Sequence, residues 1–200
     1  MKRSSGVVFG RRVAIPSFFW LLLAVAVLVG ILALFWSRPI GEPPRNGLPL
    51  KISNSPQPVY PVAIGEKSGR TFDLKDLRGK IVLLNLWATW CPPCVQEMPS
   101  LDRLQAELGG SDFEVIALSV DTGADALQKI RSFYAEKRIE RLKIYRDIEG
   151  VAIFKLKAVG IPTTLLLDRN GLEIGRMSGT AEWDSPEIVA ELRKLVEARN

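Results

Sequence analysis

Cys91 and Cys94 lie in Trp90-Cys91-Pro92-Pro93-Cys94 and are the only thiols in this 200-residue chain, which has no histidine. A C-x-x-C pair can hold half of a metal site, close a small staple, or shuttle between dithiol and disulfide. Zinc and iron–sulfur sites need further Cys or His ligands, which the composition does not supply, so no protein-alone metal site is expected. A three-residue separation closes a very tight loop, which suits a switch better than a staple. Exchange chemistry needs a thiolate. A sulfur placed where a helix begins meets unpaired N–H groups and the positive end of the helix dipole, both of which favour negative charge. Cys91 is therefore assigned as the exposed nucleophile, and Cys94, one turn in, as the covered thiol that resolves the mixed disulfide.

The flanking elements must supply that geometry. Ile81–Trp87 is a continuous apolar run rich in branched residues, the pattern of a strand covered on both faces. A helix follows from about Pro92, with proline tolerated in the first turn, Met98, Leu101, Leu104 and Leu108 at helical spacing, and Pro99 expected to kink it. Before the pair, Val62 to Arg78 reads as two short strands about a turn at Ser68-Gly69-Arg70. After it come a strand at Phe113–Val120, a helix over roughly 124–138 capped by Asp121-Thr122, a strand at Leu142–Arg146 and a short helix at Ile148–Lys157. Leu165-Leu166-Leu167 and Leu172–Ser178 flank Asp168-Arg169-Asn170-Gly171, a hairpin signal because Asn-Gly tolerates positive φ. Asp184-Ser185-Pro186-Glu187 opens a last helix, with Ile188, Leu192 and Leu195 as its buried stripe. Alternating strands and helices imply an α/β domain with helices on both faces.

The ends of the chain have different chemistry. Residues 1–17 are basic, and Phe18–Trp36 is an uncharged run of 19 residues. As a helix it spans roughly 28 Å, close to the hydrocarbon thickness of a bilayer. Lys2, Arg3, Arg11 and Arg12 before it place the N-terminus in the cytoplasm and the rest outside. The run is longer than a cleavable signal's apolar core and ends in Leu34-Phe35-Trp36-Ser37-Arg38, so a retained anchor at 18–36 is expected rather than a cleaved leader. Residues 37–61 hold seven prolines; residues 37–58 read as a semi-rigid extended linker, followed by a folded domain over 59–200. The net charge of +5 belongs to the membrane end: residues 1–58 carry seven Lys/Arg and one acid, residues 59–200 twenty and twenty-one. A near-neutral domain makes no case for nucleic acid.

The run Leu84-Asn85-Leu86-Trp87-Ala88-Thr89-Trp90-Cys91-Pro92-Pro93-Cys94, with Glu97 and Pro99 downstream, resembles the TlpA/ResA-type membrane-anchored thioredoxins, as does Gly160-Ile161-Pro162-Thr163-Thr164 before a strand and an Asn-Gly hairpin. The resemblance covers roughly residues 60–198. It implies a thioredoxin fold with an insertion between the two motifs, for which the 68 residues from Cys94 to Pro162 leave room. It implies a thiol-disulfide oxidoreductase whose dithiol carries the electrons without a cofactor. It also implies a cis Ile161–Pro162 bond facing the cysteines, with Trp90, Ile161 and Pro162 receiving an extended substrate peptide. Trp87 is either part of that surface or simply core. Glu97 is either a proton partner of Cys94 or a solvated helix glutamate favoured by the dipole. Standard thioredoxins carry a buried aspartate where this chain has Asn85, which cannot act as a base. By the same resemblance the partners are disulfide-containing proteins, such as copper-site proteins of cytochrome oxidase or apocytochrome c, and a transmembrane thiol donor in a bacterial inner membrane. Thr163 stands where reductases of cytochrome c maturation often carry glutamate, which leans the reading toward oxidase assembly or more general work. Two other functions fit a lone dithiol: an oxidant that introduces disulfides, and a tethered Cu(I) chaperone, since thiolates favour that soft ion. A peroxidase fits worse, because Leu84 stands where the peroxiredoxin pattern has proline.

Overall fold

The computed structural model describes residues 47–198. The expected anchor at 18–36 and basic segment at 1–17 lie outside the described residues, among which no helix is long and apolar enough to cross a membrane.

Eight strands form one mixed sheet: β1 (Lys51–Pro58), β2 (Ala63–Glu66), β3 (Thr71–Asp73), β4 (Ile81–Trp87), β5 (Phe113–Ser119), β6 (Tyr145–Asp147), β7 (Thr163–Leu167) and β8 (Leu172–Ser178), in the spatial order β1-β8-β7-β4-β5-β6-β2-β3. The helices are α1 (Pro92–Leu108), α2 (Ala126–Lys137), α3 (Ala152–Lys155) and α4 (Pro186–Glu197), with a 3-10 turn at Leu74–Leu77. All seven residues of β4 are buried, as its unbroken apolar run requires of a central strand. β4 runs parallel to β5 and antiparallel to β7. The second pairing sets Leu86 opposite Thr163, so the segment entering β7 arrives beside the segment leaving β4. That register is what brings the two sequence motifs together.

Several local expectations need correction. Residues 37–58 are not all linker: Leu48 and Leu50 are buried in the core, and Lys51–Pro58 is a strand paired antiparallel to β8. Pro56 and Pro58 are accommodated because β1 lies at the sheet margin, where a missing N–H costs no ladder bond, and its register shifts between Ile52 and Gln57. β1 packs tightly there, since a Cβ on Gly175 of β8 would lie 2.8 Å from Ile52 Cδ1. The domain thus begins before residue 59. The β7–β8 turn places Gly171 alone at positive φ (77°), while the Asp168 carboxylate accepts from the Asn170 and Leu172 amides; it is a three-residue loop, not the two-residue Asn-Gly turn. Neither expected helix cap forms. Asp125 and Ser185 occupy the N-cap positions without side-chain bonds. Asp184 pairs with Arg103 instead, and Asp121 turns inward. β6 begins three residues later than read, and α3 is shorter, four residues long.

Candidate active site

Cys91 is the N-cap of α1, with extended φ/ψ of −98° and 101°, and Pro92 takes the first helical position. The Cys94 amide donates to Cys91 Sγ at 3.3 Å. A sulfur thus fills the capping role usually taken by a serine or aspartate oxygen, and the same N–H and helix dipole favour charge on it. The two sulfurs are joined in a disulfide with Cα atoms 5.3 Å apart. Cys91 keeps only 4% of its surface and Cys94 none. The expected ranking holds, Cys91 outside Cys94, but Cys91 is far less open than an exposed nucleophile. The Ile161–Pro162 bond is cis, and the Ile161 carbonyl oxygen lies 3.8 Å from Cys91 Sγ. Thr163 Oγ1 donates to the Gly160 carbonyl, and the Gly179 amide to the Pro162 carbonyl, which tie this loop down on both sides.

The two tryptophans separate cleanly. Trp90, beside Cys91, is 65% exposed, whereas Trp87 is fully buried against Phe133 and Tyr134 at ring distances of 5.0 and 6.0 Å. Trp87 is therefore core. Glu97 is buried, which rules out the solvated-helix reading. Its carboxylate accepts from Asn85 Nδ2 (2.8 Å), Trp183 Nε1 (3.0 Å) and the Ala181 amide (3.3 Å). Burial pushes its pKa above the ordinary carboxylate value; the bonds from Trp183, Asn85 and Ala181 only partly offset that. Asn85, central in β4, also donates to Thr164 Oγ1 across the β4–β7 pair at 3.0 Å. Its Oδ1 is buried without a partner among the described residues.

Residue-by-residue reading of the sequence missed a second brace. Asp121, buried just beyond β5, accepts from the Thr89 amide (3.0 Å), Thr89 Oγ1 (2.7 Å) and Ser119 Oγ (2.8 Å). It pins the turn that carries Trp90 and Cys91. Nothing in the spacing distinguished Asp121 from an ordinary helix cap. Trp183, the other missed residue, stands 86 positions beyond the glutamate it bonds.

A cysteine pair at the head of a helix, a cis-proline loop at its outer sulfur and a buried carboxyl on the same helix form one site. The AhpC/TSA family model matches residues 57–172. The chain belongs to the AhpC/TSA family. Within it, the chain is 33% identical over 133 residues to the thiol-disulfide oxidoreductase ResA of Bacillus cereus, covering 66% of this chain and 73% of that one. It is 33% identical over 173 residues to the thiol:disulfide interchange protein DsbE of Yersinia pestis, covering 86% and 85%. Among solved structures, a DsbE-type interchange protein of Chlorobium tepidum superposes with a TM-score of 0.61 at 26% identity, covering 72% of this chain and 98% of its own. The mixed α/β architecture is thus thioredoxin-like, and this AhpC/TSA protein is a ResA/DsbE-like thiol-disulfide oxidoreductase.

Proposed function

We propose that the chain is a membrane-tethered, extracytoplasmic reductant of protein disulfides serving cytochrome oxidase or cytochrome c assembly. The observation that carries the exchange chemistry is the sulfur cap: Cys91 Sγ receives the Cys94 amide at the head of α1, and Cys94 is sealed behind it. In the reduced enzyme the Cys91 thiolate attacks one sulfur of a target disulfide, and the other target sulfur leaves as a thiolate and takes a proton. Cys94 then loses its proton and attacks Cys91 Sγ. The Cys91–Cys94 disulfide forms and the second target sulfur is released as a thiolate that takes a proton, so two electrons pass to the target, with one proton originating on Cys94 and the other taken from water. Trp90 and the Ile161 carbonyl border the attack path and receive the target chain. Glu97, with a raised pKa one turn beyond Cys94, takes and returns the Cys94 proton through its buried surroundings. Asn85 cannot do this; it orients Glu97.

The uncharged run 18–36 with basic residues ahead of it supports the tether. Outside the cytoplasm the surroundings are oxidising, so a reductant there draws electrons from a transmembrane thiol donor. The reducing direction rests on the resemblance of the Trp90–Cys94 and Gly160–Thr164 motifs to the TlpA/ResA-type thioredoxins. The deciding experiment is equilibration of the dithiol against glutathione or dithiothreitol buffers. A potential near the thioredoxin value, about −270 mV, is expected; one near that of DsbA, about −120 mV, would make the chain a disulfide-introducing oxidant, a difference of roughly 7 kcal/mol for two electrons. Alkaline extraction of membranes, with a reporter fused after residue 200, tests the tether and the side on which the domain lies.

A further inference from the structure

The helix α3 ends after four residues and the chain folds back on it at once. The Lys157 amide donates to the Phe154 carbonyl at 3.0 Å and the Ala158 amide to the Ile153 carbonyl at 2.9 Å. Lys157 sits at φ 52°, a left-handed conformation that a non-glycine residue adopts at a cost. The turn is braced from behind: Arg176 donates to the Lys157 carbonyl at 3.2 Å, and the Lys157 ammonium lies 5.5 Å from the centre of the Tyr60 ring. What this braced turn displays is apolar. Phe154 is 86% and Val159 92% exposed, and Ile153 is exposed beside them in sequence. Two residues beyond Val159 is Ile161, whose carbonyl faces Cys91 Sγ.

We propose that Ile153, Phe154 and Val159 form a specificity ridge of the exchange site. It takes a polypeptide in which the disulfide-bonded cysteine has a large apolar side chain close by in sequence. A target chain is the occupant that continuity favours: Val159 stands two residues before Ile161, whose carbonyl lies 3.8 Å from Cys91 Sγ, so residues flanking the attacked cysteine come within reach of the exposed Val159 side of this turn. Lys155, Leu156 and Lys157 of the same turn line a cleft of about 620 Å³ whose rim also includes Lys51 and Arg176. Glu173 pairs with Arg176 and Glu149 with Lys155, which leaves a positive surplus that suits an acidic continuation of the target chain. The ridge rests on the exchange activity alone and not on its direction or location.

The test uses full-length reduced protein and two synthetic disulfide-bonded peptides, identical except for Leu or Ser beside the attacked cysteine. The expected kcat/KM ratio favours the Leu peptide by about tenfold, the gain from partly covering two apolar side chains. The double variant Phe154→Ser/Val159→Ser brings that ratio near unity. Val159→Ser alone, at an open loop position, lowers it part-way and serves if the double variant fails to fold. Equal rates for the two peptides in the wild type, or a ratio unchanged by both variants, overturns the ridge. So does a slowing of both peptides by phosphatidylglycerol vesicles that the double variant escapes, which would assign the ridge to lipid. Failure of the exchange chemistry itself gives a different result, loss of glutathione disulfide turnover by the wild type.

Discussion

Replacing Glu97 by Gln changes one oxygen to an amide nitrogen at a buried side chain held by three hydrogen bonds, and its consequences follow atom by atom. Oε2 accepts from Trp183 Nε1 and the Ala181 amide, so the glutamine oxygen must stay there. The new NH2 group then faces Asn85 Nδ2, donor against donor. Asn85 Oδ1 has no partner among the described residues, so turning the Asn85 amide over lets it accept from the glutamine, while Thr164 Oγ1 switches from acceptor to donor. The flip sends the Asn85 NH2 to the buried place where Oδ1 met no partner among the described residues, so a donor is left unpaired at a cost of about 1–3 kcal/mol. The pH dependence is sharper. Burial raises the folded-state pKa of Glu97 above its unfolded value of 4.5. Below that value the group is protonated in both states and there is no penalty. As pH rises past it the unfolded chain ionises first, so the wild type loses stability until the folded pKa is reached, and the loss is constant beyond. Glutamine has no proton to lose. The unfolding free energy of Glu97→Gln relative to wild type therefore climbs with pH across that window, read by urea denaturation at a series of pH values. Peptide disulfide reduction should slow by about tenfold, below the usual range for a direct general acid or base because Cys94 is not among the hydrogen-bond partners of Glu97, and the variant's rate should lack a titration that the wild type shows. A stability difference that stays flat from about pH 4 to about pH 8 would refute the raised pKa, and identical rates throughout would remove Glu97 from proton transfer.

Other perturbations test separate parts of the structure. Burial pushes Glu114 up, but hydrogen bonds from Lys143, Tyr145 and Lys80 outweigh it and hold its pKa at about 2. Its stabilisation is present above pH 4.5, the unfolded value, and fades as pH falls toward 2. Glu114→Gln should cost roughly 2 kcal/mol near neutrality, discounted from about 3 because water reaches both lysines, and almost nothing near pH 2 by the same denaturation series. Asp121→Asn keeps the shape but removes the charge that three donors point at; about 1–2 kcal/mol of stability should go. Amide hydrogen exchange at Thr89, Trp90 and Cys91 should report a looser turn, with KM for a peptide disulfide rising more than kcat falls; an unchanged KM would reduce Asp121 to a stabilising role. Cys94→Ser should accumulate a mixed disulfide on Cys91 that non-reducing electrophoresis detects, while Cys91→Ser should form none; the reverse pattern would exchange the two roles.

The sheet's middle was legible because β4 is a buried run that admits only one reading, and α1 because proline, spacing and the cysteine cap agree. The dithiol needed no structure to be found. The loop at Ile161–Pro162 was reached through family resemblance, since a proline's isomer is not written in spacing; what the structure adds is the β4–β7 register that brings it alongside. What escaped did so for physical reasons. β1 looked like linker because its prolines speak against regular structure, and only pairing with β8 on one side makes them harmless. Asp121 and Asp184 looked like caps because an aspartate before a helix usually is one, yet tertiary partners competed for both. Glu97 could not be told from a solvated helix residue until Trp183 and Asn85 were seen to converge on it from distant parts of the chain.

The outermost strand bears on how the protein can be cut down. A fragment started at Val59, the place the prolines suggest, would discard Leu48 and Leu50 and strip β8 of its neighbour. The carbonyls and amides that now meet β1 would face water, inviting a second molecule to complete the ladder. Such a truncation should pair with itself as its concentration rises in analytical ultracentrifugation and melt earlier than one begun at Gly47. A preparation from Val59 that stays monomeric and equally heat-resistant would show that the margin of this sheet is dispensable trim.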